Sequence, residues 1–232
     1  MFDPKALLDQ FFGAQVPGTQ GTVGEKAGQG LQMAKDNPLA TGAIAAVLLG
    51  TGAGRSLTGS ALKLGGLAVV AGLGYQAWKS YQAGGSPQPA GPVAEAPIAL
   101  PPKDSDFAAS TAGVNATFTT ALLRVMLAAA RADGHVDDAE RSRIISRLSL
   151  AGLGPDAMSF IEDELTLPVD LDGIVAQAGN EAEKVELYTA ARLAIDPDTP
   201  AEHVFLNHLS GRLGLSEGLI EHIEATVSSA KV

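Results

Sequence analysis

Seven carboxylates in two short stretches are the side chains in this sequence that are best suited to binding a ligand. The first cluster, in the stretch ADGHVDDAE, comprises Asp133, Asp137, Asp138 and Glu140. The second cluster, in the stretch AIDPDTPAE, comprises Asp196, Asp198 and Glu202. Calcium, magnesium and manganese are bound by carboxylate and carbonyl oxygens, commonly in a turn where successive side chains converge. Both clusters are therefore candidate ligands for a divalent cation.

Helix capping is the competing explanation for part of each cluster. Asp137 precedes Glu140 by three residues and Thr199 precedes Glu202 by three, which is the spacing of a capping box. Capping leaves four aspartates unexplained: Asp133, Asp138, Asp196 and Asp198. Crowded like charges cost free energy unless a cation neutralises them. A cation site and a solvated acidic surface with caps both stay open at this point.

A cation site would need ligands from both clusters. The first cluster fits only the second half of an EF-hand loop, because Ala129 and Arg131 occupy the first and third ligand positions. An ungapped superposition of the two stretches pairs Ala132 with Ala194 and Glu140 with Glu202. This pairing indicates a degenerate internal repeat in which a helix, an acidic turn and a helix occur twice.

Net charge and cysteine content exclude several classes of function. The 232 residues carry a net charge of −10; residues 1–112 are neutral, with 7 basic and 7 acidic side chains, and residues 113–232 have 9 basic and 19 acidic ones. Such a domain repels phosphate backbones, so we expect no nucleic-acid partner. The absence of cysteine excludes disulfides, thiolate zinc sites and a cysteine nucleophile.

Apolar residues at three- and four-residue spacing predict helices throughout the acidic half. Turn and cap residues separate seven of them, near 113–132, 137–152, 155–165, 169–178, 180–195, 199–214 and 216–229. No stretch alternates apolar and polar residues for long enough to predict a strand. The expected fold is all-α.

Residues 37–82 form a glycine-rich apolar segment with few charges. Small residues four apart let helix backbones approach closely, as in membrane helices, and Tyr75, Trp78 and Lys79 resemble an interfacial anchor. The apolar runs are a few residues short of a full span. We expect a membrane-inserted hairpin or re-entrant anchor that contacts lipid and promotes homo-oligomers; the alternative is a soluble or poorly ordered segment.

Four regions follow from these patterns. Residues 1–36 contain an amphipathic helix and a polar segment, and residues 37–82 form the apolar anchor. Residues 83–110 are a Pro/Ala/Gly-rich flexible linker, because proline blocks continued helix. Residues 111–232 form the acidic helical domain.

The sequence contains no phosphate-binding loop, nucleophile elbow or HExxH motif, so we expect no enzymatic activity.

The stretches LAAARADGHVDDAER and LYTAARLAIDPDTPAEHVFLNHLSGRLGL resemble the tellurite-resistance TerB-like family. The N-terminal FDPKALLDQFFG, the apolar middle and the linker resemble its YebE-type branch of the bacterial inner membrane. The resemblance implies a seven-helix bundle of two related halves, with divalent metal proposed at the helix junctions. Its ligands here would be Asp133, Asp137, Glu140, Asp196, Asp198 and Glu202.

The expected function is that of a membrane-tethered, non-enzymatic module that binds a divalent cation through its acidic clusters. The resemblance also implies a role in stress or envelope response, attachment to the bacterial inner membrane and a C-terminal domain in the cytoplasm. The alternative is a metal-independent protein-interaction or structural module whose acidic surface binds a protein partner.

Overall fold

The computed structural model describes residues 3–5, 66–87, 100–108, 115–132 and 155–230, and every regular element in these ranges is a helix. The helices are α1 Gly66–Gln82, α2 Ala116–Ala130, α3 Pro155–Thr166, α4 Leu171–Val175, α5 Glu181–Ala194, α6 Pro200–Leu213 and α7 Glu217–Ala230. The prediction of an all-α bundle is confirmed. Most of the N-terminal region, residues 37–65 and the expected helix at 137–152 lie outside the described residues.

Local capping fixes where several helices begin. The side chains of three residues accept a hydrogen bond from the third amide of the following helix: Asn115 for α2 at 3.1 Å, Asp170 for α4 at 2.9 Å and Asn180 for α5 at 2.9 Å. Each bond satisfies an amide that has no partner within its helix. Gly214 ends α6 at φ 67°, a conformation that glycine adopts without strain.

Helix α5 lies at the centre of the bundle, where it contacts α1, α2, α6 and α7. Leu187, Ala190 and Ala191 of α5 are fully buried. Leu122 of α2 and Leu209 of α6 are also fully buried. Helix α5 is buried on nearly all sides from Val185 to Ala194, as expected for the central helix of a bundle.

Helix α1 belongs to the core of the same bundle, although the sequence analysis placed residues 66–82 in a membrane anchor. It packs against α5 and α7, and Leu67, Val70 and Leu73 are buried. A Cβ added at Gly74 would lie 3.3 Å from Cγ1 of Val185, so glycine permits close approach to α5. None of the described helices is long and apolar enough to cross a membrane. The membrane prediction for residues 37–65 stays a prediction.

Part of the predicted linker is also packed against α1. The ring of Phe107 is buried, with its centroid 5.7 Å from that of Tyr75 and 5.9 Å from that of Trp78. Aromatic pairs at such distances add specific contacts to the apolar area they bury. The aromatic residues that resembled a membrane-interface anchor thus hold the linker on the domain.

Candidate functional site

The second acidic cluster forms the turn between α5 and α6. Ile195 leaves α5 in an extended conformation and is buried, whereas Asp196 is half-buried and Asp198 is exposed. Thr199 then begins α6 as its N-cap, with Pro200 as the first helical residue. The turn places its aspartates at the surface, next to the end of one core helix and the start of another.

Glu202 completes the capping box at the start of α6. Its Oε2 accepts hydrogen bonds from the amides of Asp198 at 3.0 Å and Thr199 at 2.9 Å, and from the Thr199 hydroxyl at 3.0 Å. In return, the Glu202 amide donates to the Thr199 hydroxyl at 3.3 Å. The residue is buried, so these bonds satisfy a carboxylate that has lost most of its water. Its oxygen Oε2 is therefore engaged in helix initiation.

Arg192 of α5 connects this turn to α7. Its guanidinium donates to the carbonyl oxygen of Ile195 at 2.7 Å and contacts Oδ1 of Asp196 at 3.4 Å. On the other side it donates to Oε2 of Glu224 at 2.5 Å and to the Ser228 hydroxyl at 3.2 Å. Because Arg192 is buried, its charge requires such partners. Its positive charge offsets part of the negative charge of Asp196, one of the aspartates that helix capping does not explain.

Tyr188 belongs to the same network one turn earlier on α5. Its hydroxyl donates to Oε1 of Glu224 at 2.9 Å. Burial is the largest cause that raises the pKa of Tyr188 well above its ordinary value; the charge and hydrogen bond of Glu224 add to the rise, and Arg192 opposes it. The neutral phenol therefore supports the position of Glu224, which in turn holds Arg192.

The predicted cation site stays a prediction. Four of its predicted ligands lie outside the described residues: Asp133, Asp137, Asp138 and Glu140. Within the described ranges, no three acidic or histidine side chains come together as a set that could hold a metal ion. Of the second cluster, Glu202 and Asp196 have protein partners, and the Asp198 carboxylate is exposed.

A second charged region that sequence reasoning missed lies at the junction of α3 and α4, residues 162–172. Arg131, at the end of α2, donates from Nη1 to the carbonyl oxygens of Glu164 and of Leu167, the latter at 3.1 Å. Burial lowers the pKa of Arg131, whereas the charge of Glu164 raises it. The guanidinium thereby fastens the end of α3 to α2. Only the tertiary fold brings these residues together, so no local signal could have revealed them.

One protein-family model matches nearly all of the described helices. A model for the family described as a protein of unknown function, DUF533, matches residues 34–227, which include α1 to α6 and most of α7. The chain belongs to the DUF533 family. DUF533 is related to the TerB-like family, which agrees with the resemblance of the acidic stretches at that level.

This DUF533 chain is also similar to a curated bacterial protein. The protein named "Uncharacterized protein in ampR 5'region" from Yersinia enterocolitica is 26% identical over 110 residues, or 47% of this chain and 79% of that protein. No solved structure matches the DUF533 chain.

Proposed function

We propose that this chain is a non-enzymatic protein-interaction module whose acidic surface binds a basic, partly apolar segment of a partner protein. The α3–α4 junction carries the proposal. Leu167 and Val169 are 55% and 43% exposed there, and the carboxylates of Glu162, Asp163 and Asp170 are exposed around them. Exposed apolar side chains amid like charges are typical of a surface that a complementary partner covers.

The local charge balance supports a cationic partner. The exposed guanidinium of Arg124 pairs with Glu164 at 2.7 Å, and that of Arg212 pairs with Asp172 at 2.6 Å. These ion pairs neutralise the carboxylates at the flanks of the junction. The negative charge of Glu162, Asp163 and Asp170 is left around the two apolar side chains, where lysine or arginine of a partner would find opposite charge.

The rigidity of the junction supports binding without a large ordering cost. Arg131 holds two carbonyl oxygens of this segment from α2. The Leu167 amide donates to the Asp163 carbonyl at 2.9 Å, and the Asp170 side chain caps α4. A surface that is already fixed loses little conformational entropy when a partner binds.

The cellular setting belongs to the same proposal. The YebE-type resemblance favours attachment to the bacterial inner membrane with the helical domain in the cytoplasm, and a role in stress or envelope response. Since α1 is part of the core, the membrane contact would come from residues 37–65, which include a charge-free run from Pro38 to Gly54. Lipid would then bind upstream of α1.

Binding of calcium, magnesium or manganese is the second candidate function. The exposed carboxylate of Asp198 favours it, because this side chain takes no part in the capping box, to which Asp198 contributes its amide. The other ligands would be Asp196 and the carboxylates of the first cluster. Hard cations prefer such oxygen ligands.

The test uses the full chain in a mild detergent with a chelator present. Fluorescence anisotropy would compare a labelled amphipathic lysine–leucine peptide with a lysine–serine peptide of equal charge. We expect tighter binding of the lysine–leucine peptide, and a loss of at least about tenfold in affinity, equivalent to about 1.4 kcal/mol, in the Leu167→Ser, Val169→Ser variant.

Leu100→Ser is the matched control, because Leu100 is also 55% exposed but lies outside the junction. It should leave peptide binding unchanged. Equal binding of both peptides by wild type, or equal losses in the two variants, would contradict the proposal. Peptide binding that occurs only when the chelator is left out would instead favour the cation function.

A further inference from the structure

The outward face of α6 differs from the rest of the acidic surface. Its exposed residues include His203, Val204, Asn207, His208, Gly211 and Arg212. None of these carries a carboxylate, and the one acid of α6, Glu202, is buried in the capping box. By contrast, α3, α5 and α7 each expose at least one carboxylate. The face therefore carries no carboxylate of its own on a chain whose net charge is −10, and its one arginine, Arg212, is paired with Asp172 of α4.

Val204 is an exposed apolar side chain at the start of this face. It is 53% exposed, one of four large apolar side chains with such exposure among the described residues. His208 follows four residues later and Gly211 seven residues later, so the three share one side of the helix. The bundle itself gives Val204 no core to pack against.

Gly211 has no structural reason to be glycine in the bundle. A Cβ added there would meet nothing within 4 Å. Its φ is not in the left-handed region, which among the described glycines only Gly84 and Gly214 adopt. Glycine inside a helix is less stable than alanine, because it loses more backbone freedom on folding. The absence of a side chain at Gly211 leaves room for another backbone to approach this face of α6 closely.

We propose that this face of α6 binds the same face of a second copy of the chain. Two copies of a strongly acidic protein repel each other. The α6 face has no exposed carboxylate of its own, and the carboxylate of Asp172 beside it is already paired with Arg212, so two copies could meet there with little charge repulsion. A two-fold interface pairs one patch with itself, so that residue i meets j and j meets i. This surface adjoins the α3–α4 junction through the Arg212–Asp172 ion pair, but the inference does not depend on the proposed basic partner.

The spacing along α6 suits an antiparallel pairing. The midpoint between Val204 and Gly211 falls between Asn207 and His208. A two-fold axis at that point places Val204 against Gly211 of the partner subunit, and the reverse contact is identical. The exposed apolar side chain thus enters the space that the glycine leaves, twice in each dimer.

Sedimentation equilibrium of the full chain in mild nonionic detergent tests the interface. We expect a dimer whose dissociation constant rises at least about tenfold in Val204→Glu and in Gly211→Leu. Because the space around Gly211 is empty, Gly211→Leu should keep or raise the thermal midpoint of the domain while weakening the dimer. A misfolded variant would instead lower the thermal midpoint as well as weaken the dimer. A monomeric wild type, or a dimer that survives both substitutions, would overturn the proposal.

Engineered cysteines give an independent readout, since the chain has none of its own. His208→Cys lies beside the proposed axis, and a disulfide requires Cα atoms within about 7 Å. We expect His208→Cys to form a covalent dimer under mild oxidation, whereas Glu221→Cys, exposed on α7, should stay monomeric on a non-reducing gel. Equal cross-linking of the two variants would refute the α6 interface.

Discussion

Leu73 of α1 distinguishes a core helix from a membrane anchor. Its side chain is 1% exposed in the bundle, on a helix that packs against α5 and α7. Leu73→Ala removes three buried carbon atoms and leaves a cavity between helices. Such substitutions cost about 2–5 kcal/mol, depending on how far the surroundings collapse. If α1 were instead immersed in lipid, the folding of the acidic domain would not depend on this side chain.

The expected change is large enough to measure directly. A domain of this size loses about 2–4 °C in thermal midpoint for each kcal/mol. A mid-range loss of about 3 kcal/mol then predicts a decrease of about 6–12 °C. The assay is thermal unfolding of the full chain in mild detergent, followed by the helical circular-dichroism signal.

Leu100→Ala provides the control for Leu73→Ala. The Leu100 side chain is mostly exposed, so its truncation should change stability by less than about 0.5 kcal/mol. A thermal midpoint of Leu73→Ala within about one degree of wild type would refute the placement of α1 in the core. A comparable decrease in both variants would show that the assay does not report on burial.

Substitutions at three further residues test the α5–α6 turn and its contacts. Tyrosine in the unfolded chain ionises near pH 10, and the pKa of Tyr188 in the folded chain is higher. The contribution of neutral Tyr188 to the free energy of unfolding should therefore be fully present below pH 10 and decrease above it. Tyr188→Phe should flatten this decrease in urea unfolding measured from pH 8 to 11. Glu202→Ala should cost about 1–3 kcal/mol, because buried donors lose their acceptor, and Glu202→Gln should cost less; equal midpoints in urea would contradict the role of the cap. Calorimetric titration with calcium, magnesium and manganese should show weaker binding by Asp198→Asn than by wild type, and a wild type without binding tighter than about 1 mM would exclude the cation function.

The α5–α6 turn combines contacts that sequence spacing can predict with contacts that depend on the tertiary structure. The contact between Thr199 and Glu202 spans three residues, so the capping box was readable from spacing alone. The contact from Arg192 to Asp196 spans only four residues, but Asp196 lies beyond the extended end of α5, so helical spacing does not predict it. The contacts from Arg192 to Glu224 and Ser228 span 32 and 36 residues, and they exist only after α5 and α7 pack together.

Helix α1 shows why the membrane interpretation of its residues could not be decided locally. An apolar helix buried in protein and one buried in lipid have the same composition, and small residues permit close packing in both. Length is a local discriminator: the described part of α1 has 17 residues, against about 20 for a span. The contacts with α5 and α7 give an apolar helix of this length a place in the protein core.

The position of α1 changes what residues 83–110 connect. They join α1 to α2 within one bundle, and Phe107 packs back on α1. A membrane contact through residues 37–65 would therefore precede the bundle directly, with no long linker between the two. Anionic lipid surfaces repel acidic side chains over about a Debye length. A domain held that close to a membrane would turn its carboxylates outward, which would leave the α3–α4 junction accessible to a basic partner.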